Sequence, residues 1–484
     1  MLVSRVGIRE SSIESPIIAI PAFATFPKMT KRFSTSIVSL ALVFLTGCAV
    51  LDPNNIIGRR YPDAQSVNEP VFSGTGNWRT SAFDYVWNTV NEKYYDPALN
   101  GVDWQAAKLR HHDRILNASS DDEYWDALDR MTGELKDSHT RVHSPKQAAQ
   151  QRDHESHSLG IGFMELAGEL IVVSVHPLSD AYWAGVRPGM AIKTINGEAA
   201  IDRYRRLLAG ARDSSTPWAR TRGAIRAIST GELDSGVNMT FTRHSATGAA
   251  DDTSATISAT IKRRRFRIPP ETVWRVLPSG FGYVRFSGFA GELLAGIITA
   301  LEKLKDTPGM IIDLRNNGGG ALGMANTLMT RFLSEKTTGA KVLTRTGKPI
   351  TVAFISVMDL DTELNGNKAH SYARPLVILI NENSASASEI FSGTLQDLGR
   401  ATVIGQRTCG CLLGYLGYAD LPGGGQLAYS EIGFVLPKGR RIEGDGVKPD
   451  IEIARTREDI LFNRDRALEA AESFLKSRQG SQQK

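Results

Sequence analysis

Three kinds of hydrophobic pattern follow one another along the chain. First, Phe83, Val86, Trp87, Val90 and Tyr94 recur every three or four residues, the spacing of one helix face. A second such stretch carries Tyr124, Trp125, Leu128 and Met131. It follows Ser119-Ser120-Asp121-Asp122, which suits an N-cap. These aromatics are expected to form a helical core rather than a cofactor box. Next, Glu-Leu-Ile-Val-Val-Ser-Val at 169–175 is strand-like, and so is 237–242. Added helix is expected between Gly197 and Val237, and 245–256 is a polar loop of small residues. From Pro269 strand and helix alternate. Strands are predicted at 280–286, 310–314 and 375–381, and helices at 293–304, 322–333 and 389–398. Alternation of this kind argues for an α/β layered domain. The tail after Thr456 is amphipathic and then polar, so a helix with a frayed end is expected.

Composition narrows this picture only a little. The 484 residues suggest more than one domain, and 41% hydrophobic with 23% charged residues allows sizeable cores. The net charge is +5, but the basic residues are scattered, which disfavours nucleic acid as a partner. The run Lys262-Arg263-Arg264-Arg265-Phe266-Arg267 reads as a solvated strand or linker at a domain junction. Three cysteines, Cys48, Cys409 and Cys411, are too few for a disulfide framework.

The amino terminus has the order of a secretory signal. Lys31 and Arg32 precede an apolar run at 37–45, too short to span a bilayer comfortably. It ends in Leu45-Thr46-Gly47-Cys48, which resembles the bacterial lipobox. The resemblance implies acylation of Cys48 and a membrane anchor facing the periplasm. Ala49, in the place where Asp would retain such a protein at the inner membrane, implies the outer membrane. Residues 1–28 do not look like part of the signal and suggest a start codon called too early. Residues 49–75, rich in Asn, Pro, Gly and Ser, read as a tether.

Two segments of the α/β region carry candidate chemistry. In Asp313-Leu314-Arg315-Asn316-Asn317-Gly318-Gly319-Gly320 a strand runs into three glycines, whose N–H groups can approach a phosphate or an oxyanion. The Lys-Ser/Thr ending of a P-loop is missing, so nucleotide is disfavoured. In Asn381-Glu382-Asn383-Ser384-Ala385-Ser386-Ala387-Ser388-Glu389 a strand delivers three alternating serines to a helix start. One serine can cap the helix, and the others exceed that need. The residues alone leave open which serine attacks.

Leu159-Gly160-Ile161-Gly162-Phe163, the strand after it, Ala181-Tyr182-Trp183-Ala184-Gly185-Val186-Arg187-Pro188-Gly189 and Ile195-Asn196-Gly197 together resemble a PDZ domain of the bacterial protease type. That resemblance implies that Gly160, Ile161, Gly162 and Phe163 offer N–H groups to a peptide carboxylate and an edge to a peptide strand. With the glycine-rich turn and the serine cluster, residues 76–455 resemble the tail-specific, or carboxyl-terminal processing, serine peptidases. The resemblance implies Ser386 as nucleophile. It also implies an oxyanion hole from the N–H of Gly318 or Gly319 together with that of Ala387.

The chain departs from the Ser–Lys branch of that family. Cys411, in Gly405-Gln406-Arg407-Thr408-Cys409-Gly410-Cys411, stands where the lysine would be, and a thiol is a poor amine substitute. The tricorn-like branch uses Ser, His and Glu. Its pattern matches Asp137-Ser138-His139-Thr140 and Glu443-Gly444-Asp445-Gly446-Val447-Lys448-Pro449-Asp450. This implies His139 as general base and Glu443 as its orienting carboxylate, with His143 and Asp445 as the fallback pair. Cys409 and Cys411 are open to three readings: reduced thiols, a disulfide or a metal site, the last least favoured.

The expected architecture is multidomain α+β. A signal region at 1–48 and the tether at 49–75 precede a helical domain at 76–155 and a PDZ domain at 156–265. An α/β catalytic domain that resembles the crotonase fold spans 266–455, and a helix with a tail spans 456–484. The expected function is serine endopeptidase acting on periplasmic polypeptides, without cofactor or metal. A binding protein without catalysis is the alternative, since retinoid-binding modules resemble the same fold. The oligomeric state is open.

Overall fold

In the six-stranded sheet of the α/β region the order of strands is Thr272–Val276, Gly282–Phe286, Met310–Asp313, Leu376–Ile380, Thr402–Gly405 and Ile451–Glu452. The first pair is antiparallel and the rest run parallel. Met310, Ile312, Leu376, Ile378 and Ile380 face one core with the helices Gly291–Leu304, Leu322–Thr330 and Ala387–Asp397. Ile311, Val377 and Leu379 face the other, closed by Ala471 and Leu475 of Arg466–Gln482. Burial on both faces is why these strands read as unbroken apolar runs. Each such side chain contributes about 1.5–3 kcal/mol when fully buried.

This is a computed structural model, and it describes residues 52, 56, 59, 77–152, 156–243, 256–266 and 269–482. The expected signal with Cys48, most of the expected tether and most of the polar loop after Ser245 lie outside the described residues. Two residues of the expected tether are seated on the body. Ile56 joins the first core, and the Arg59 guanidinium is buried against Glu431 (Nη2–Oε1 2.8 Å).

The helical stretch holds Trp78–Lys93, Trp104–Leu116 and Asp121–Gly133, the last capped by Ser120 Oγ accepting the Glu123 N–H at 3.2 Å. Its core is not its own. Phe83, Val86, Tyr124 and Trp125 pack with Leu413, Ala419, Leu421, Leu427 and Tyr429, which lie far along the chain in the α/β region. Strand Arg141–His143 pairs antiparallel with Gln426–Ala428. Gly425 permits the closure: a Cβ there would lie 2.5 Å from the Trp125 ring. This shared core delivers the 137–139 segment to the α/β region.

Between them sits an antiparallel sheet in the order Ile161–Leu166, Glu169–Val175, Ala191–Ile195, Gly236–Thr242, Thr256–Lys262. Its helices are Asp180–Trp183, Ala200–Ala209 and Pro217–Ser229, the last two filling the stretch between Gly197 and the closing strand. Ile161–Leu166 is an edge strand of this sheet.

Candidate active site

The serine cluster sits at the carboxyl end of Leu376–Ile380, where the chain turns into helix Ala387–Asp397. The three serines differ in what they do. Ser384 is fully buried and donates its hydroxyl to Leu314 O at 2.7 Å, and Ser388 is fully buried and donates to Asn317 O at 2.9 Å. Both are committed to holding the serine loop against the glycine turn. Ser386 is half-buried at the N-cap, with φ 55° and ψ −119°. Few non-glycine residues adopt such a backbone, and they concentrate at functional turns. Its hydroxyl meets no acceptor for its proton among the described residues.

The glycine turn closes on this serine. A Cβ on Gly319 (φ 99°) would lie 2.7 Å from both Ala385 O and Ser386 Cβ and 2.8 Å from Ala387 N. Of the two glycines proposed for an oxyanion hole, Gly319 has its N–H taken by Asn317 Oδ1 at 2.9 Å. Among the described residues no acceptor meets the Gly318 N–H. Gly318 and Ala387 are therefore the pair with donors to spare, Ala387 because it opens a helix. Asn317 itself is fully buried and donates Nδ2 to Phe286 O at 3.0 Å.

The loop facing Ser386 on its other side carries Cys409 and Cys411, which form a disulfide. Cys411 O accepts the Ser386 N–H at 3.1 Å. Glu389 fastens this loop. Its Oε2 accepts the N–H groups of Ser386 (2.9 Å) and Cys411 (3.1 Å), and its Oε1 accepts Thr408 Oγ1 (2.6 Å) and the Gly410 N–H (2.8 Å). Burial pushes the Glu389 carboxyl up to about 7 against these four donors. Glu389 is not among the residues expected at the site; its signal in the sequence is a glutamate three residues after a helix-capping serine.

His139 follows Asp137, which is fully buried. Asp137 Oδ1 accepts the His139 N–H at 2.7 Å and Oδ2 accepts Ser430 Oγ at 2.6 Å. Arg212 braces the segment through Asp129 Oδ1 (3.3 Å) and Asp137 O (3.4 Å). Burial lowers the His139 pKa, and the nearby Arg222 pushes the same way against Asp137. The ring is therefore a neutral base at neutral pH. His139 lines a cavity of about 810 Å³ together with Gly318, Ala385 and Cys411.

Glu443 lines a different cavity, with Ser215, Tyr95 and Arg441. Its Oε2 accepts the Leu412 N–H at 2.5 Å. Burial, with Asp137 adding repulsion, raises its pKa well above the usual value. Ser215 connects the two cavities: it and Ser138 exchange N–H to Oγ hydrogen bonds at 2.9 and 3.2 Å. Among the described residues no hydrogen bond joins Ser386 to His139 or His139 to Glu443. His139 Nδ1 and Glu443 Oε1 are both buried without a partner. Of the fallback pair, His143 is pushed down to about 4 by burial and Arg141, and Asp445 is exposed and ion-paired with Arg407.

Gly160 has φ 68° and accepts the His176 N–H at 2.8 Å. Ile161 and Phe163 turn into the core, while Gly162 and Phe163 also line the cavity that His139 lines. The edge strand, the glycine turn and the serine loop therefore share one open space.

Comparison with known proteins follows the same division. Residues 280–453 match Peptidase family S41, and residues 77–133 match the Tricorn protease C1 domain. The chain is 26% identical over 383 residues to carboxyl-terminal-processing peptidase 3, chloroplastic, of Arabidopsis thaliana, covering 76% of this chain and 67% of that one. It is 29% identical over 394 residues to the C-terminal processing peptidase, chloroplastic, of Tetradesmus obliquus, covering 76% of each. The solved photosystem II D1 C-terminal processing protease shares the fold, with a TM-score of 0.51 at 24% identity, over 78% of this chain and 94% of that one. A match to Peptidase family S41 across the α/β region, and relatives of this kind over three quarters of its length, make the chain a serine-type peptidase.

Proposed function

We propose that this chain is a lipid-anchored envelope endopeptidase that cleaves periplasmic polypeptides through an acyl-enzyme on Ser386. The observation that carries it is the Ser386 turn. One serine of three keeps its proton uncommitted, on a positive-φ residue in contact with Gly319. His139 takes the hydroxyl proton as Ser386 attacks the scissile carbonyl, and returns it to the leaving amine. The N–H groups of Gly318 and Ala387 receive the developing oxyanion.

Glu443 orients His139 in this reading. His139 Nδ1 and Glu443 Oε1 are buried without partners, and buried polar groups rarely stay so. A hydrogen bond between them would satisfy both. The sheet that begins at Ile161–Leu166 acts as a PDZ domain, and Gly160, Ile161, Gly162 and Phe163 take the substrate's carboxyl terminus. The Leu45-Thr46-Gly47-Cys48 motif supports an anchor on Cys48, and Ala49 supports the outer membrane.

Digestion of an unfolded polypeptide tests this reading. Ser386→Ala and His139→Ala are each expected to remove turnover, and Glu443→Gln to lower it by at least about tenfold. The acid limb of kcat/KM is expected below 6.5, because a base of lowered pKa stays neutral to lower pH. Arg222→Gln removes one of the lowering influences and should move that limb up. Turnover that survives Ser386→Ala ends the proposal.

A further inference from the structure

Helix Pro217–Ser229 forms one wall of the His139 cavity, with Trp218, Ala219, Arg220, Arg222 and Arg226 along it. Its start is tied to the catalytic loop, because Thr216 Oγ1 donates to Cys409 O at 2.7 Å. Arg222 and Arg226 are four residues apart, so they share a helix face. The Arg222 guanidinium reaches within 4.0 Å of Cys409 Sγ, at the end near Ser386. The edge strand lines the same cavity at Gly162, Phe163 and Met164.

Six arginines line this cavity with one carboxylate, Glu382, on which the charge of Arg455 acts. Arg141 and Arg212 share Asp129 (2.9 and 3.3 Å), and Arg220 has Asp213 (3.5 Å). Arg222 and Arg226 have no carboxylate among the described residues, although both are open to the cavity. Two cations on one helix face, neither with an ion-pair partner among the described residues, attract an anion. A guanidinium fork suits a planar carboxylate.

We infer that Arg222 and Arg226 form a subsite for the side-chain carboxylate of an Asp or Glu in the substrate, lying between the edge strand and Ser386. The peptidase is therefore selective for acidic polypeptide segments. This rests on the proposed catalytic role of Ser386 and His139 and adds a substrate class to it. The α-carboxylate of the same substrate is assigned to Gly160–Phe163, so the subsite reads side chains along the segment.

Binding is measured on the Ser386→Ala chain, which does not consume the probe. The probes are fluorescein-labelled octapeptides of glutamate and of glutamine, each with a free and with an amidated carboxyl terminus. The glutamate peptide is expected to bind at least tenfold more tightly than the glutamine peptide, whether amidated or free. Arg222→Gln with Arg226→Gln should abolish that difference, and Arg222→Glu with Arg226→Glu should transfer the preference to an octalysine peptide. Equal binding of glutamate and glutamine peptides overturns the inference. So does a preference that survives the double glutamine variant, or one that disappears on amidation. Failure of the catalytic reading is visible separately, as absence of peptide-bond cleavage by the wild-type chain while this binding pattern holds.

Discussion

Gly319→Ala is expected to remove the reactivity of Ser386 and to destabilise the fold by about 2–4 kcal/mol, a sum of backbone strain and overpacking. The added Cβ would lie 2.7 Å from Ala385 O and 2.8 Å from Ala387 N, and backbone atoms cannot rotate away. The residue also sits at φ 99°, where any side chain is strained. The turn would have to part from the serine loop, and the oxyanion donors with it. Loss of such donors costs about a hundredfold or more in rate. Gly318→Ala is the control. Nothing lies within 4 Å of its Cβ position, so stability should stay near wild type. Urea unfolding and turnover of the two variants check the contrast; equal effects would contradict the packing argument.

Glu389→Gln has the second large effect expected. Glu389 accepts four hydrogen bonds, from Ser386, Thr408, Gly410 and Cys411. An amide offers one acceptor oxygen and turns an NH₂ toward two donors. Each unsatisfied buried group costs about 1–3 kcal/mol, so a loss of about 2–4 kcal/mol is expected, with turnover down by at least about tenfold. The wild-type carboxyl also carries a pH signature. Its pKa rises from 4.5 to about 7 on folding. The folded state therefore holds the proton more tightly, and stability falls as pH rises from 4.5 through 7. That slope should be shallower in the variant, as denaturant midpoints across the window would show. An unchanged slope would mean that Glu389 is ionised throughout.

Much of the α/β region was legible in the sequence because its strands are buried on both faces and its helices carry strong local patterns. The predicted strand at 310–314 is found at Met310–Asp313, and the helix at 389–398 at Ala387–Asp397. What local pattern could not carry was long-range closure. Nothing near Phe83 or Trp125 announces that Leu427 and Tyr429 complete their core. The Cys409–Cys411 pair left three chemistries open, and a disulfide is the one found. Composition likewise could not sort three serines. Their hydrogen bonds do so, by committing Ser384 and Ser388 to carbonyls on the glycine turn. The arginines of Pro217–Ser229 read as scattered charge until their pairing was known, since only partners distinguish Arg220 from Arg222.

Ser386 acts here as a nucleophile activated by His139. The decisive experiment reacts the wild-type chain with a fluorophosphonate and locates the adduct by mass spectrometry of the digested protein. One adduct is expected, on Ser386, absent from His139→Ala. An unreactive wild-type chain, or an adduct on Ser384 or Ser388, would contradict it.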